Sequence, residues 1–439
     1  MLLLALLVAF AGVARAAERP PNVVLIFSDD QGTVDLNIYG AKDLDTPNLD
    51  RLARRGVRFS QFYVGAPVCS PSRAALLTGK FPHRAGVPGN VGVGKRGMPP
   101  EQITIAEMLK TKGYRTALVG KWHLGYAIKD GPSDQGFDSF YGHKRGCIDN
   151  YSHFFYWKGP NNHDLWRDAQ EIWEDGVHFS DLMVREAKEF ISANKDQPFF
   201  LYLPFNIPHY PLQGKPKWRE RYKDLPSPRK HYAALVSTLD EQTGQVLDWI
   251  DHLGLRDNTL IIFLSDHGHS TEERTMFGGG SAGPYRGAKF SLFEGGIRVP
   301  AIAALPGVIP ENEVRDQFAV SADILPTIAE LTGAELPRDK IDGMSLVNVL
   351  KDSNAPATHD RFFWQLGKQW AVRDGEWKLI VNANDTDRSK VTGADRIFLA
   401  NLGQDIAERT NLASENPAIV KRLTSLHEQW AVEVGAAVD

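Results

Sequence analysis

Cysteine is nearly absent from this chain, whose 439 residues carry only Cys69 and Cys147. Two thiols exclude the disulfide framework on which small exported domains rely. A surplus of either charge is missing too. Lys and Arg total 50 against 54 Asp and Glu, a net charge of −4, so a nucleic-acid partner finds no electrostatic support. Long apolar runs are confined to the start, MLLLALLVAFAGVARA, which is short for a bilayer span and ends in the small-residue pattern Ala14-Arg15-Ala16. It reads as a secretory signal cleaved after Ala16 or Ala17, although no Lys or Arg precedes it; the competing reading is an N-terminal membrane anchor. The expectation is an exported protein, periplasmic or secreted, with residues 1–17 as signal peptide and no stable membrane span. Internal repeats and long low-complexity tracts are also absent.

What remains is an ordinary globular composition on a chain long enough to bury a large core. NVVLIF, Asn22 to Phe27, is a continuous apolar, β-branched run that suits a central parallel strand buried on both faces. TPNLDRLARRG follows as a helix with Thr46 as N-cap, Pro47 first and Gly56 closing. TIAEMLKTKG carries a capping box, Thr104 with Glu107, ends at Gly113 and leads into a strand, YRTALVG. Apolar residues at helical spacing from Leu182 to Ile191 precede the strand FFLYLPF. A longer helix with Leu235, Leu239, Val246 and Ile250 on one face precedes TLIIFLS. Strands alternating with helices predict an α/β fold with a large, mostly parallel sheet flanked by helices.

Beyond Thr358 the texture changes. QWAVRDGEWKLIVN reads as a hairpin turning at Asp374-Gly375, and a helix is expected near Pro417 to Val432. Residues 18–357 are therefore expected to form a large α/β domain, and 358–439 a smaller C-terminal α+β domain with an antiparallel sheet. His143 to Gly176, rich in aromatics, Asn and Asp, is predicted to be a long ordered loop, and such loops tend to be functional.

In an open α/β sheet, ligands bind beyond the carboxyl ends of the strands. NVVLIF runs into Asp29-Asp30, TALVG into Lys121 and His123, FFLYLPF into His209, and LIIFLS into Asp266-His267. Any one of these has a dull explanation, a helix cap or a hydrogen-bonded loop histidine. Four together imply one shared site. Asp29, Asp30 and Asp266 would repel one another unless a cation sat among them, and oxygen-rich ligation points to Ca²⁺ or Mg²⁺. Arg73, Lys121, Lys289, His123 and His209 exceed what those carboxylates need for balance. With a metal they would make a pocket for a compact oxyanion such as sulfate or phosphate.

VCSPSRAALLTG, Val68 to Gly79, sets a lone thiol at the start of a helix that has Pro71 in its first turn and Gly79 at its end. Cys69-Ser70-Pro71-Ser72-Arg73 with Leu77-Thr78-Gly79 resembles the C-x-P-S-R-x-x-x-L-T-G signature of the sulfatase family, in the alkaline-phosphatase-like superfamily. GYRTALVGKWHLG at Gly113 to Gly125 resembles the family's second signature. PNVVLIFSDDQG, SDHG at Ser265 to Gly268, KFSLFEGGIRVP at Lys289 to Pro300, ADILPTIAELTG and DGMSL are similar to family blocks in the expected order.

The resemblance implies that Cys69 is oxidised to formylglycine by a dedicated maturase that reads the Cys-x-Pro-x-Arg core. One oxygen of the hydrated aldehyde would be the nucleophile, favoured by a helix N-terminus and a cation. It further implies Asp29, Asp30, Asp266, His267 and modified Cys69 as ligands of Ca²⁺, with Mg²⁺ as the alternative. The family more often has Asn where His267 stands, and a neutral nitrogen is less usual for a hard cation. Arg73 would hold the diol, Lys121 and Lys289 would clamp sulfate oxygens, and His209 would be general acid near the bridging oxygen, with Lys289 as a further donor. His123 would be the base that deprotonates the second hydroxyl, expelling sulfate without waiting for water. A plain Cys69 nucleophile, or a Cys69–Cys147 disulfide, is the competing reading.

The overall sequence resembles the arylsulfatase A and N-acetylgalactosamine-6-sulfatase branch. Aromatics among His, Lys, Asn and Asp in the long loop suit a sugar, so an exo-acting enzyme on sulfated glycans, active also on aryl sulfates, is expected. Lys144, Arg145, Asp149, Asn150 and His153 are candidate subsite residues, unless the loop only packs over the sheet edge. The alternatives are a phosphomonoester or phosphonate hydrolase of the same superfamily, and an inactive glycan-binding relative.

Overall fold

The apolar run at Asn22 becomes a strand, Asn22–Asp29, with every residue buried. The computed structural model describes residues 19–92, 94–126, 129–156, 161–387 and 393–437, so the expected leader at 1–17 lies outside the described residues. Asn22–Asp29 pairs in parallel with Phe199–Pro208 on one side and Thr259–Ser265 on the other. Arg115–Lys121 and then Ser139–His143 continue the parallel set beyond Phe199–Pro208. These five strands are the heart of a ten-stranded mixed sheet. Ala301–Ala304 and Val57–Phe59 add antiparallel pairings at one flank, with Glu313–Arg315 outermost and parallel to Val57–Phe59. Trp166–Arg167 and Gln170–Glu171 close the other flank. The long loop is thus partly sheet, its hairpin adding two short edge strands.

Period-two alternation sends the central strands' side chains to two cores. Val24, Ile26, Leu201, Leu203 and Phe263 meet Leu182, Met183, Leu235 and Leu239 from the helices Phe179–Ala193 and Arg229–His252. Val23, Leu25, Phe27 and Ile262 meet Leu76 and Leu77 of Cys69–Thr78 and Ile328 of Ile324–Thr332. Both faces are covered, as a parallel sheet requires.

The predicted capping box forms, with Glu107 N–H donating to Thr104 Oγ1 at 3.2 Å and Thr104 N–H to Glu107 Oε2 at 2.8 Å. The cap of the helix Pro47–Arg54 is tertiary instead. Thr46 Oγ1 accepts from Asn37 N–H at 2.8 Å, while Asn48 and Leu49 N–H donate to the Asp240 carboxylate of the long helix. Gly56 does not close that helix by a left-handed turn; a Cβ there would lie 2.1 Å from Ala303 O, so glycine lets the chain approach the sheet.

Arg361–Leu366, Gln369–Asp374, Trp377–Val381 and Ile397–Asn401 form a four-stranded antiparallel sheet, with the expected hairpin at Asp374-Gly375. One face packs on Leu423 of the helix Pro417–Val434. The other face sends Phe362, Trp364, Ala371 and Ile380 into the same core as the large sheet. A buried ion cluster fixes this docking: Lys378 Nζ lies 2.8 Å from Glu294 Oε1 and 2.9 Å from Glu408 Oε1, and Arg298 Nε 2.7 Å from Glu294 Oε2. Burial opposes ionisation of Glu294, yet Lys378, Arg298 and Arg373 hold it well below the usual carboxylate range. Glu408 is pushed up to about 7, chiefly by burial. Removing the one cation both carboxylates share leaves buried charge uncompensated. Lys378→Met is expected to lower stability by about 3–5 kcal/mol, read as a fall in the denaturant midpoint at pH 8; an unchanged midpoint would show that the cluster does not hold the sheet.

Candidate active site

The carboxyl ends of the parallel strands deliver the polar residues to one rim. Asp29 ends its strand, and Asp30 follows in the left-handed region at φ 62°. Lys121 ends the strand Arg115–Lys121, and His123 sits two residues on at φ 55°. His209 follows Phe199–Pro208, and Asp266-His267 follow Thr259–Ser265. Non-glycine residues at positive φ are uncommon and collect where function constrains the backbone.

The helix Cys69–Thr78, with all its residues buried, aims its N-terminus at this rim. Val68 offers no side-chain cap, and the loop at Asn90 replaces it: Ser70 N–H donates to Asn90 Oδ1 and Val91 N–H to Ser70 Oγ, each at 3.1 Å. Ser72 Oγ donates to Asp266 O, which ties the helix to the strand end. Arg73, one turn in, places Nη2 3.1 Å from Asp266 Oδ2 and 3.4 Å from Asp29 Oδ1.

Asp29, Asp30, Cys69 and His267 offer donor atoms that all lie within 4.8 Å of one another. Cys69 Sγ is 3.4 Å from His267 Nε2 and 3.8 Å from Asp29 Oδ1. His267 Nδ1 lies 2.9 Å from Gly268 O; donating its proton there leaves the Nε2 lone pair facing Asp30 Oδ1 at 3.4 Å and Asp266 Oδ2 at 3.5 Å. Asp266 Oδ1 accepts Asp30 N–H at 3.0 Å. Asp30 Oδ1 is buried without an aligned hydrogen bond and faces the Lys289 ammonium, 3.0 Å away, and His267.

Electrostatics say the same. Burial, with Asp29 and Cys69 adding to it, drives Asp30 well above the usual carboxylate range and Asp266 up to about 7. Burial also opposes ionisation of Asp29, but the Lys121 ammonium and the Arg73 guanidinium hold it well below. His267 is lifted to about 9 against burial, mainly by Asp266 and Cys69, and the Cys69 thiol is brought down to about 6 against burial by Lys121 and Lys289. A divalent ion among these oxygens and the imidazole nitrogen would relieve the repulsion that raises Asp30 and Asp266, so the residues present fit a hard cation.

The cations close the rest of the rim. Lys121 Nζ lies 2.6 Å from Asp29 Oδ2, and Lys289 Nζ 3.0 Å from Asp30 Oδ1 and 3.1 Å from Glu272 Oε2. His209 Nε2 is 3.7 Å from Asp30 Oδ2. Burial, aided by Lys121 and Arg73 at His123 and by Lys289 at His209, keeps both histidines neutral, well below their ordinary value. In front lies a cavity of about 740 Å³ whose wall includes Cys69, His123, His209 and Lys289. Arg73 and Lys121 stand behind that wall, fully buried.

Among the five expected subsite residues, Arg145 lines this cavity and the other four do not. Lys144 Nζ sits 3.9 Å from the Trp166 ring centroid. Asp149 accepts from Tyr151 and Ser152 N–H and from Gln213, a turn of its own. Asn150 is buried against Asn206 and Gln213, and His153 against Phe179 and Val177 O. These side chains build the loop, and the expectation that they face substrate is not met in this cavity. The sequence reading missed Asn90, Tyr126, Phe155, Tyr210, Glu272 and Phe290, which also line it. A weak signal existed for Glu272, which follows the Asp266-His267 pair closely, and for Phe290 beside Lys289. Cys69 and Cys147 are free thiols, both buried, so the disulfide alternative is not formed.

The sulfatase family model matches residues 21–334, and a second, for the C-terminal part of N-sulphoglucosamine sulphohydrolase, matches 287–429. Arylsulfatase A of Homo sapiens is 36% identical over 462 residues, covering 96% of this chain and 89% of that protein. N-acetylgalactosamine-6-sulfatase of Rattus norvegicus is 33% identical, covering 86% and 74%. The crystal structure of Ps i-CgsB in complex with k-i-k-neocarrahexaose superposes with a TM-score of 0.82 at 29% identity, covering 94% of this chain and 93% of that one. With the matched model spanning well over half of the residues and the relatives nearly all of them, the chain belongs to the sulfatase family, in the alkaline-phosphatase-like superfamily, and is a sulfuric ester hydrolase.

Proposed function

We propose that the enzyme removes sulfate from a sulfated carbohydrate or an aryl sulfate by nucleophilic attack on sulfur from residue 69. The observation that carries this reading is the placement of Cys69 at a helix N-terminus, 3.4 Å from His267 and 3.8 Å from Asp29, on the wall of a cavity shared with His123, His209 and Lys289. Formylglycine made from Cys69 would supply a hydrated aldehyde oxygen as nucleophile, and Ca²⁺, or Mg²⁺, held by Asp29, Asp30, Asp266, His267 and residue 69 would supply Lewis-acid charge.

The chain's own residues do the rest. Arg73 and the helix N-terminus stabilise negative charge at residue 69. Lys289, on the cavity wall, binds the sulfate oxygens, and Lys121 adds positive charge from behind it. Lys289, which Asp30 holds protonated well above its ordinary range despite burial, offers a charged hydrogen bond to the bridging oxygen beside His209, the candidate general acid. His123, neutral through burial, accepts the proton from residue 69 that lets sulfate depart. Tyr126, Phe155, Tyr210 and Phe290 with Asn90 and Arg145 give the cavity flat faces and hydrogen-bonding groups, which suit a sugar carrying anionic substituents.

Cys69 to Thr78 are all buried, so a maturase can reach Cys-x-Pro-x-Arg only on the unfolded chain. Export through residues 1–17 to the periplasm or outside belongs to the same proposal, as does a division into a catalytic part at 18–357 and a smaller part at 358–439.

Initial rates on nitrophenyl sulfate and nitrophenyl phosphate test this reading. The sulfate is expected to turn over faster, and Asp266→Ala to lose bound Ca²⁺ together with at least about 100-fold in rate; a faster phosphate reaction, or full Ca²⁺ and rate in the variant, would overturn it. Gly146 supplies a gentler probe of His123. A Cβ at 146 would lie 2.9 Å from His123 Cε1 and 3.0 Å from Nε2. Gly146→Ala should shift that ring and lower kcat about 10–100-fold with Ca²⁺ content unchanged; an unaltered kcat would remove His123 from the proton path.

A further inference from the structure

The loop over the cavity carries a second cluster of ligating side chains, apart from the rim of the sheet. His153, His163 and Asp175 each offer one donor atom, and these atoms lie within 4.8 Å of one another. His153 is fully buried and His163 is 8% exposed. One ring nitrogen of each is already engaged: His153 Nε2 lies 3.1 Å from Val177 O, and His163 Nδ1 lies 3.0 Å from Glu171 Oε1. The remaining nitrogens, His153 Nδ1 and His163 Nε2, are buried without a hydrogen-bond partner among the described residues.

Leaving one such nitrogen dry costs about 1–3 kcal/mol, and here two occur on rings whose centroids are 6.4 Å apart. The engaged nitrogens explain what the free ones are for. A ring N–H donated to a carbonyl or a carboxylate fixes the tautomer and turns the opposite lone pair toward a metal. Burial, with His163 adding to it, also holds His153 below its ordinary value and hence neutral, as a metal ligand must be.

We infer that His153 Nδ1, His163 Nε2 and the Asp175 carboxylate form a structural site for a divalent transition-metal ion of the Zn²⁺ class. Two imidazoles and one carboxylate suit that class, whereas the carboxylate-rich rim suits Ca²⁺. Asp175 is exposed, which leaves water able to complete a tetrahedral shell. The ion would clip both ends of the small hairpin in which Phe154–Phe155 pairs with Asn162–His163. Phe155 and Asn162 of that hairpin line the substrate cavity, and Glu171, which orients His163, belongs to the outermost strand of the large sheet. The clip therefore fixes a cavity wall to the sheet edge.

The test uses full-length protein saturated with Ca²⁺ and titrated separately with Zn²⁺ and Co²⁺. One Zn²⁺ per chain should remain after desalting, and Co²⁺ should give visible bands of a four-coordinate nitrogen–oxygen site without thiolate charge transfer. His163→Ala and His153→Ala should weaken Zn²⁺ binding at least about 100-fold, and Glu171→Gln, acting through His163, about 10-fold. No retained Zn²⁺, thiolate bands that place the ion at Cys69 or Cys147, or undiminished affinity in folded His163→Ala would overturn the site. If the alanine variants do not fold, the wild-type Co²⁺ spectrum and Glu171→Gln decide the matter.

Discussion

Three carboxylates and three cations share one dry volume at the rim of the sheet, and the rest of the molecule is arranged to keep them there. Asp29, Asp30, Asp266, Arg73, Lys121 and Lys289 are each at most 3% exposed. Any one of them alone would cost several kcal/mol to bury. Together they cancel, and a divalent ion held by the carboxylates would tip the balance to positive, the sign that an anionic sulfate ester needs. A solvated site would screen that field; this one does not, because helices cover both faces of the sheet and the signature helix seals the floor.

The C-terminal sheet takes part in this arrangement. Thr386 Oγ1 donates to Lys289 O at 2.8 Å, and Gln369 Nε2 donates to Phe290 O at 3.0 Å while its Oε1 accepts Leu292 N–H. The segment from Lys289, through Phe290 at φ 69°, to Glu294 and Arg298 is thereby pinned between the active-site rim and the Lys378 cluster. A C-terminal segment that looks peripheral in sequence order holds Lys289 in place at the rim.

Much of this was legible in the residues because parallel strands buried on both faces read as unbroken apolar runs, and the polar residues that interrupt them mark the strand ends. Asp29-Asp30, Lys121, His209 and Asp266-His267 were found that way, and the Cys69 signature tied them to a family. Tertiary substitutions for local signals were not legible. Asp240 caps a helix that Thr46 was expected to cap, and Gly56 makes room for Ala303 where a helix end was expected. The cavity wall was hardest, since Asn90, Tyr126 and Glu272 come from loops without period. In the long loop, Arg145 and Asp149 look alike by composition; only the fold shows that one faces the cavity and the other caps a turn.

The proposed chemistry rests on an oxygen nucleophile where the gene encodes sulfur, seated among charges that would activate either. The chemical state of residue 69 in protein that is turning over substrate is the most direct measurement. Mass spectrometry of the peptide spanning Val68 to Gly79 should find an aldehyde or its hydrate in proportion to specific activity. An intact thiol at that position in fully active protein would contradict it.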